Sequence, residues 1–203
     1  MKRDTVVGIV GAVILLGALV GILYVQAASA PKDLIYTVAW TSQGGALAPV
    51  EGTLTDGDTL TERVPVEVAN LTEVTFTLTW TDNENSAPDS FTLTVTTPSG
   101  RQLPATSRTD GTITVTATAA DLNPSPTTGQ VAAKDEAEAQ RKLAQQHTST
   151  LGQGEWTVAI TLDARDNVPA TPVGVPVVPR DTGNAFTLNV AYKTYAPTLI
   201  VAS

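Results

Sequence analysis

The chain has 203 residues, 12 Lys and Arg against 20 Asp and Glu, and no Cys. The absence of Cys excludes disulfides, thiolate zinc sites and Cys nucleophiles, and the net charge of −8 disfavours nucleic acid as a partner, because phosphate contacts need clustered Lys and Arg. Thr contributes 33 residues, and its β-branched side chain suits strands, so the composition predicts an all-β fold.

An uncharged segment of 21 residues, Thr5–Val25, follows Lys2 and Arg3. As a helix rising about 1.5 Å per residue it spans about 31 Å, which matches the hydrocarbon core of a bilayer. The two basic residues predict a cytoplasmic N terminus and a body outside the cell. Ala28-Ser29-Ala30 imitates a cleavage site, so a cleaved signal peptide is the alternative. The length favours an uncleaved single-pass anchor in the cell membrane.

Within this segment Gly17 and Gly21 form a GxxxG pair. Small residues at this spacing let two helix backbones approach closely in lipid, and they predict a helix–helix contact. The alternative is that Gly is simply common in membrane helices. The oligomeric state stays open.

Residues 31–203 are predicted to form one extracytoplasmic domain after the stub and anchor of residues 1–30. The first strand is an alternating run that Gln43-Gly44-Gly45 should break, and Asp56-Gly57-Asp58 predicts a turn. A run of Val residues follows, and Pro65 within it predicts an edge strand, because Pro lacks an N–H. The alternating apolar positions are Leu34, Tyr36, Val38 and Trp40, then Val64, Val66 and Val68.

The clearest pattern lies between Val74 and Arg101, where two runs alternate strictly with Thr. Period-two spacing is typical of half-buried strands, and the two runs predict one sheet with one face on a core. Trp80 and Phe91 are expected to be buried on that face. The apolar positions are Val74, Phe76, Leu78 and Trp80, then Phe91, Leu93 and Val95.

Asn70-Leu71-Thr72 is an N-glycosylation sequon in the turn before this pair. It predicts a glycan at Asn70 in a host that glycosylates. Chance occurrence is the alternative.

Arg101–Arg108 is predicted to be a loop, and Asp110-Gly111 a turn before a strand at Ile113, Val115 and Ala117. The composition then changes. Residues Val131–His147 are rich in Ala, Glu, Gln and Lys, which predicts a helix. Glu138 and Lys142 form a supporting i,i+4 pair. The apolar stripe is narrow, so we expect a surface insertion that either packs on the outer sheet or contacts a partner.

The remaining strands are predicted at Trp156–Leu162 and Phe186–Tyr192, with a short final strand at Leu199–Val201. Four prolines between Ala164 and Gly183 predict an irregular loop there.

The pattern resembles jelly-roll β-sandwich domains of the bacterial pre-peptidase C-terminal family and, more distantly, proprotein-convertase P domains. The matching residues are Leu78, Trp80, Asp89, Phe91, Leu93, Val95, Pro98 and Gly100, then Gly154, Trp156, Val158 and Ile160. The resemblance implies a binding or stabilising module rather than a catalyst. The helical insertion and the N-terminal anchor depart from the family pattern.

Oxygen-bearing side chains in the loop after Trp80 predict a Ca²⁺ site at Asp82, Glu84 and Asp89, since Ca²⁺ takes loop carboxylates. A solvated loop on an acidic protein is the alternative. Asp163, Asp166 and Asn167, at the end of a later strand, form a weaker candidate for such a metal site. No other cofactor is expected.

The single His, His147, ends the predicted helix, where it complements the helix dipole, and no catalytic residue is predicted. Trp40, Trp80 and Trp156 are predicted to be core residues, with the alternative that one lines a ligand surface.

The sequence therefore predicts a membrane-anchored structural or interaction module of the cell envelope that binds a protein partner. An exported domain that binds carbohydrate or Ca²⁺ is the first alternative. A carboxylate-based enzyme is the second.

Overall fold

A computed structural model describes residues 33–81, 89–164 and 183–201 of the protein. The described residues form ten strands and one helix. The strands are β1 (Leu34–Ala46), β2 (Val50–Leu54), β3 (Thr59–Val66), β4 (Leu71–Trp80), β5 (Ser90–Thr96), β6 (Thr106–Arg108), β7 (Thr112–Ala117), β8 (Gly129–Ala133), β9 (Gly154–Asp163) and β10 (Asn184–Val201), and the helix is α1 (Glu136–His147).

The strands form two antiparallel sheets. One has the order β7-β4-β10-β1-β8, with β2 also paired to β10, and the other has the order β3-β9-β5-β6. Four of the pairings are nested in the sequence: β1 with β10, β3 with β9, β4 with β7 and β5 with β6. The chain thus forms an antiparallel β-sandwich, which confirms the all-β prediction.

The main core lies between the two sheets. On the central strands the predicted apolar positions are buried and the alternating Thr residues lie outside, as the period of two requires. Phe76 of β4 packs against Trp156 of β9 with ring centroids 5.4 Å apart. Both side chains are fully buried. The buried residues of β7, Ile113, Val115 and Ala117, are also as predicted.

The two central strands do not share a sheet. β4 pairs with β7 and β10, whereas β5 pairs with β6 and β9. The prediction that Trp80 and Phe91 lie on one sheet face is therefore wrong, although both are buried. Alternation shows that a strand has one core face, but two strands that face the same core from opposite sides show the same alternation.

β1 and β10 are longer than predicted. Gln43-Gly44-Gly45 does not break β1, because these residues pair with Tyr192–Thr194 of β10. The Tyr192 ring lies over Gly45, so a Cβ at this position would require the end of that ring to move. Leu199–Val201 belongs to β10 rather than to a separate strand.

Two further predictions concern the edges and turns. β3 is an edge strand, as Pro65 predicts, and Asp56-Gly57-Asp58 lies between β2 and β3. The segment Arg101–Arg108 is not entirely a loop, because its last three residues form β6 beside β5.

The helix begins at Glu136 rather than at Val131. Asp135 is its N-cap and accepts a 2.8 Å hydrogen bond from the Glu138 N–H, which satisfies a free N–H group of the first turn. Gln130–Ala133 pairs with β1 as part of β8, so the first residues of the predicted helix are extended. The predicted Glu138–Lys142 ion pair is present at 3.0 Å.

A second, smaller cluster lies beneath the helix. On β10 the side chains of the main core, such as Leu188 and Val190, have even numbers. Trp40 pairs with Pro197, so the residues of β10 that share its face have odd numbers. Successive side chains point to opposite faces, so α1 packs on the outer face of the larger sheet. The helix is therefore a surface element, but it covers a core of its own. This second cluster comprises Tyr36, Val38, Val131, Ala133, Ala139 and Leu143.

Among the described residues no helix is long and apolar enough to cross a membrane. The predicted anchor Thr5–Val25, with Gly17 and Gly21, lies outside the described residues.

Candidate functional site

A groove of about 530 Å³ lies at the end of α1. Four parts of the chain form it: the outer face of β1 and β10, the segment before β8, the end of the helix and the turn before β4. We call it the helix groove. Its lining residues are Trp40, Asn70, Thr72, Asn123, Pro124, Ser125, Pro126, Thr127, Gln146, His147, Thr148, Ser149 and Tyr195.

The lining contains no Asp, Glu, Lys or Arg. Amides, hydroxyls, two prolines and three rings account for most of it. The whole chain carries 20 acidic and 12 basic residues, and none of them lines this groove. Such a surface favours a neutral ligand, or a neutral part of a partner, that offers both apolar contact and hydrogen-bonding groups.

Trp40 forms the floor of the groove. Its indole N–H donates a 3.0 Å hydrogen bond to the Thr127 carbonyl. The His147 ring stands against it in a T-shaped arrangement, with centroids 5.2 Å apart. Trp40 is only partly buried, so it combines an apolar surface with a fixed polar end, as is typical of aromatic residues in binding sites.

The wall opposite the helix is the segment Asn123–Thr127. Pro124 and Pro126 lack N–H groups, which keeps this segment out of the sheet. Asn123 fixes its start, because its backbone and side-chain N–H groups both donate to the Leu71 carbonyl at 3.1 Å. The exposed Ser125 stands between the prolines and offers a hydroxyl to the groove.

Asn70, in the turn before β4, is hydrogen-bonded to Ser149, which follows the helix. Its backbone N–H donates to the Ser149 carbonyl at 2.9 Å, and its side-chain oxygen accepts from the Ser149 N–H at 2.8 Å. Its φ is +57°, a left-handed conformation that Asn tolerates better than most residues. The sequon therefore lies in the groove wall, and glycosylation of Asn70 remains a prediction.

The helix is held in place by contacts at its first turn. Lys142 lowers the pKa of the Glu138 carboxyl through a side-chain hydrogen bond, and the backbone N–H of Lys134 adds to this effect. The Lys142 ammonium also donates to the Ala132 carbonyl at 2.8 Å, which ties α1 to β8. Burial raises the pKa of the Tyr36 phenol beneath the helix, and the Asp135 and Glu136 carboxylates add to the shift.

The helix ends where the groove begins. The Thr148 N–H donates to the Ala144 carbonyl at 3.1 Å and closes the last turn. His147 lies in that turn, the position predicted for an interaction with the helix dipole. Gln146 and His147 are exposed and present their side chains to the groove.

The predicted Ca²⁺ residues are not brought to this site. Asp89 lies just before β5, is fully buried and accepts a hydrogen bond from the Asn184 amide. Asp82 and Glu84 lie outside the described residues, as do Asp166 and Asn167. Asp163 ends β9 and is exposed. Within the ranges that the structure describes, no three His, Asp or Glu side chains are grouped so as to hold a metal ion.

The three Trp residues have different environments. Trp156 is fully buried, with its indole N–H donating to the Gly152 carbonyl at 2.9 Å, and Trp80 is buried in the same core. Trp40 is the one that lines a groove. Sequence reasoning missed Tyr195, Asn123, Ser125 and Gln146. The Asn-Pro-Ser-Pro segment was the available signal, because its two prolines lack N–H groups and keep the segment out of a regular strand.

The fold and the groove together define an all-β sandwich with a ligand-sized surface groove and a helical insertion. No protein-family model matches the chain, and no curated protein matches it.

Proposed function

We propose that the protein is a single-pass membrane protein with a cytoplasmic N terminus and an extracytoplasmic jelly-roll domain that binds a protein partner in the helix groove. Support for the anchor comes from the 21 uncharged residues Thr5–Val25 after Lys2 and Arg3. The role is structural or interactive rather than catalytic. The domain would hold its partner at the outer surface of the cell membrane.

The nested strand pairing supports the jelly-roll assignment. If β1 and β2 are counted as one strand and β8 as part of the insertion, eight strands remain, the number of a jelly roll. β1 and β2 follow each other along one side of β10, which supports merging them. The proposed resemblance to pre-peptidase C-terminal and P domains is supported by Trp80 and Trp156 in the core and by Gly100, whose φ is +85° in a turn.

The observation that carries the binding proposal is the uncharged lining of the helix groove. No Asp, Glu, Lys or Arg side chain of the groove has to be removed from water when a partner inserts a neutral segment. The segment also gains aromatic contact at Trp40 and Tyr195. The end of α1 forms one wall, so the helical insertion that departs from the resembled families contributes directly to the proposed contact.

Carbohydrate is the second candidate ligand, and the same lining favours it. Sugars present apolar ring faces and many hydroxyls, and the groove offers rings beside the exposed side chains of Gln146 and Ser125. A Ca²⁺ role has no comparable support among the described residues, because the Asp89 carboxylate is buried and bonded to Asn184.

The test places a photo-crosslinking residue at Gln146 in full-length protein expressed in its native cells. Gln146 is exposed, so the substitution leaves both cores intact. The matched control places the same residue at Thr77, on the outer face of β4 away from the groove. We expect one protein adduct from position 146, absent from position 77 and lost when His147→Ala is added.

A protein adduct that requires His147 supports the first candidate. Binding to a glycan panel that is lost in the same His147→Ala variant, without a protein adduct, supports the second. Equal crosslinking from both positions, or none from position 146 together with no glycan binding, overturns the assignment of the groove.

A further inference from the structure

Exposed apolar side chains collect at one end of the larger sheet. Leu34 is 47% exposed, Ile35 44% and Ile200 54%. Within the described part of the chain, Leu151 is the one other large apolar side chain with comparable exposure. Thr37 pairs with Ile200, and Ile35 shares the face of Thr37, so Ile35 and Ile200 are diagonal neighbours on the face away from the helix. Leu34 is opposite Ala133 on the other face.

These residues lie on an extension of the sheet beyond the main core. Between Asn184 and Ile200, Thr194 is the last buried residue of β10. Ile200 follows six positions later, which at about 3.3 Å per residue is about 20 Å further along the strand. The pairing of β4 with β10 stops at Thr194. The three side chains therefore stand at the tip of a three-stranded projection formed by β8, β1 and the end of β10.

The chain enters the described domain at this tip. Only Gln26–Asp33 separates the uncharged segment from β1, and eight residues reach at most about 29 Å when fully extended. The opposite end of β10, at Asn184, lies 16 residues from Ile200, about 53 Å away. A segment anchored in a bilayer at Val25 therefore holds the tip, and not the opposite end, close to the lipid surface.

We infer that Leu34, Ile35 and Ile200 contact the outer surface of the membrane and hold the domain against it. This inference rests on the proposed anchor. The chemistry of the contact is apolar insertion among lipid headgroups, as in interfacial membrane segments. It is not electrostatic, because Asp135 and Glu136 lie close to the tip and the chain has a net charge of −8. Lipids without net charge are accordingly the favoured surface.

The absence of native Cys allows a direct test with single-cysteine variants of the full chain. Ile200→Cys and Ile35→Cys are labelled with an environment-sensitive fluorophore and reconstituted in phosphatidylcholine vesicles, some carrying a nitroxide on the headgroup. Leu151→Cys is the matched control, since it is an exposed apolar residue in the turn before β9. Because all three side chains are largely exposed, the substitutions leave the cores unchanged.

We expect nitroxide quenching and a blue shift at positions 35 and 200, and neither at 151. Flotation of the labelled protein with the vesicles at high salt tests the anchor separately. Protein that floats but shows no quenching at 35 or 200 overturns the lipid contact and leaves the anchor proposal standing. A disulfide between two copies of the unlabelled Ile200→Cys variant, without quenching of the labelled one, also overturns it, because a second copy then covers the tip. Failure to float overturns the anchor and the inference together.

Discussion

Trp80 at the end of β4 and Phe91 near the start of β5 face each other across the core, with ring centroids 4.7 Å apart and an interplanar angle of 37°. The two residues are consecutive aromatic positions in the sequence pattern, but they belong to different sheets. Phe186 of β10 adds a third ring 6.4 Å from Phe91. The contact therefore joins the two sheets at the end of the sandwich opposite the projecting tip.

Truncation of this contact should destabilise the domain strongly. Phe91→Ala removes a fully buried ring, and the expected loss in free energy of unfolding is about 3–5 kcal/mol. Thr77→Ala, on the outer face of β4, should change it by less than about 0.5 kcal/mol. Urea denaturation followed by Trp fluorescence measures both values. Equal losses would show that the assignment of core and outer faces is wrong.

On β4, β5, β7 and β9 the sequence predicts which residues are buried, because alternation directly reports the two faces of a strand. Phe76, Leu93 and Ile160 all follow it. It does not predict that β4 and β5 belong to different sheets, because the pairing partner of a strand depends on residues far away in the chain. Gly44 and Gly45 show the same limit: they predict a break, but both residues pair with β10 and the Tyr192 ring lies over Gly45.

The helix groove could be predicted only in part for the same reason. Trp40 carries the same alternation as the buried Trp156, yet the face it occupies is covered by α1 and not by the second sheet. Asn70 and Ser149 are 79 positions apart in the sequence, so no local pattern predicts their contact. The helix itself is correctly predicted from composition, whereas its start is set by the Asp135 cap and by the pairing of β8.

Asn70 affects the stability of the domain in two ways, through its left-handed backbone and through its side-chain hydrogen bond, and two substitutions distinguish them. Asn70→Gly keeps the φ of +57° accessible but removes the acceptor for the Ser149 N–H, which should cost about 1 kcal/mol. Asn70→Ala loses the same acceptor but keeps a Cβ in the left-handed region, so it should be about 1 kcal/mol less stable than the glycine variant. Thermal denaturation of both variants measures the order. An alanine variant as stable as the glycine variant would contradict a strained turn at this position.

Tyr36 should make stability fall at high pH. Its pKa is raised above the ordinary value of 10.0 by burial and by Asp135 and Glu136. Below pH 10 the phenol is protonated in both the folded and the unfolded state, so its contribution is fully present. Above pH 10 the unfolded phenol loses its proton first, and stability is lost as the pH rises towards the folded pKa.

The measurement is urea denaturation between pH 9 and pH 11, with Tyr36→Phe as the control because it keeps the ring and removes the ionisation. The native protein should lose more stability over this range than the Phe variant, in which every other ionisable group is unchanged. Parallel curves for the two proteins would mean that the Tyr36 phenol ionises as readily in the folded state as in the unfolded state.

Substitution of Leu143 tests whether the second cluster, beneath α1, unfolds separately from the main core. It is 3% exposed and packs beneath α1 with Val38 and Val131, while the main core lies on the other side of the sheet. Leu143→Ala should remove about 2–4 kcal/mol from the stability of the helix and β8, since it leaves a cavity in a small cluster. Leu151→Ala, a change of the same size at an exposed position, should cost less than about 0.5 kcal/mol.

Amide hydrogen exchange in Leu143→Ala should therefore rise in α1 and β8 and stay unchanged in β9, where Trp156 and Ile160 are fully buried between the sheets. This outcome would show that the helix and β8 form a unit whose stability is separate from that of the main core. Equal acceleration in β9 would show that both clusters unfold as one cooperative core.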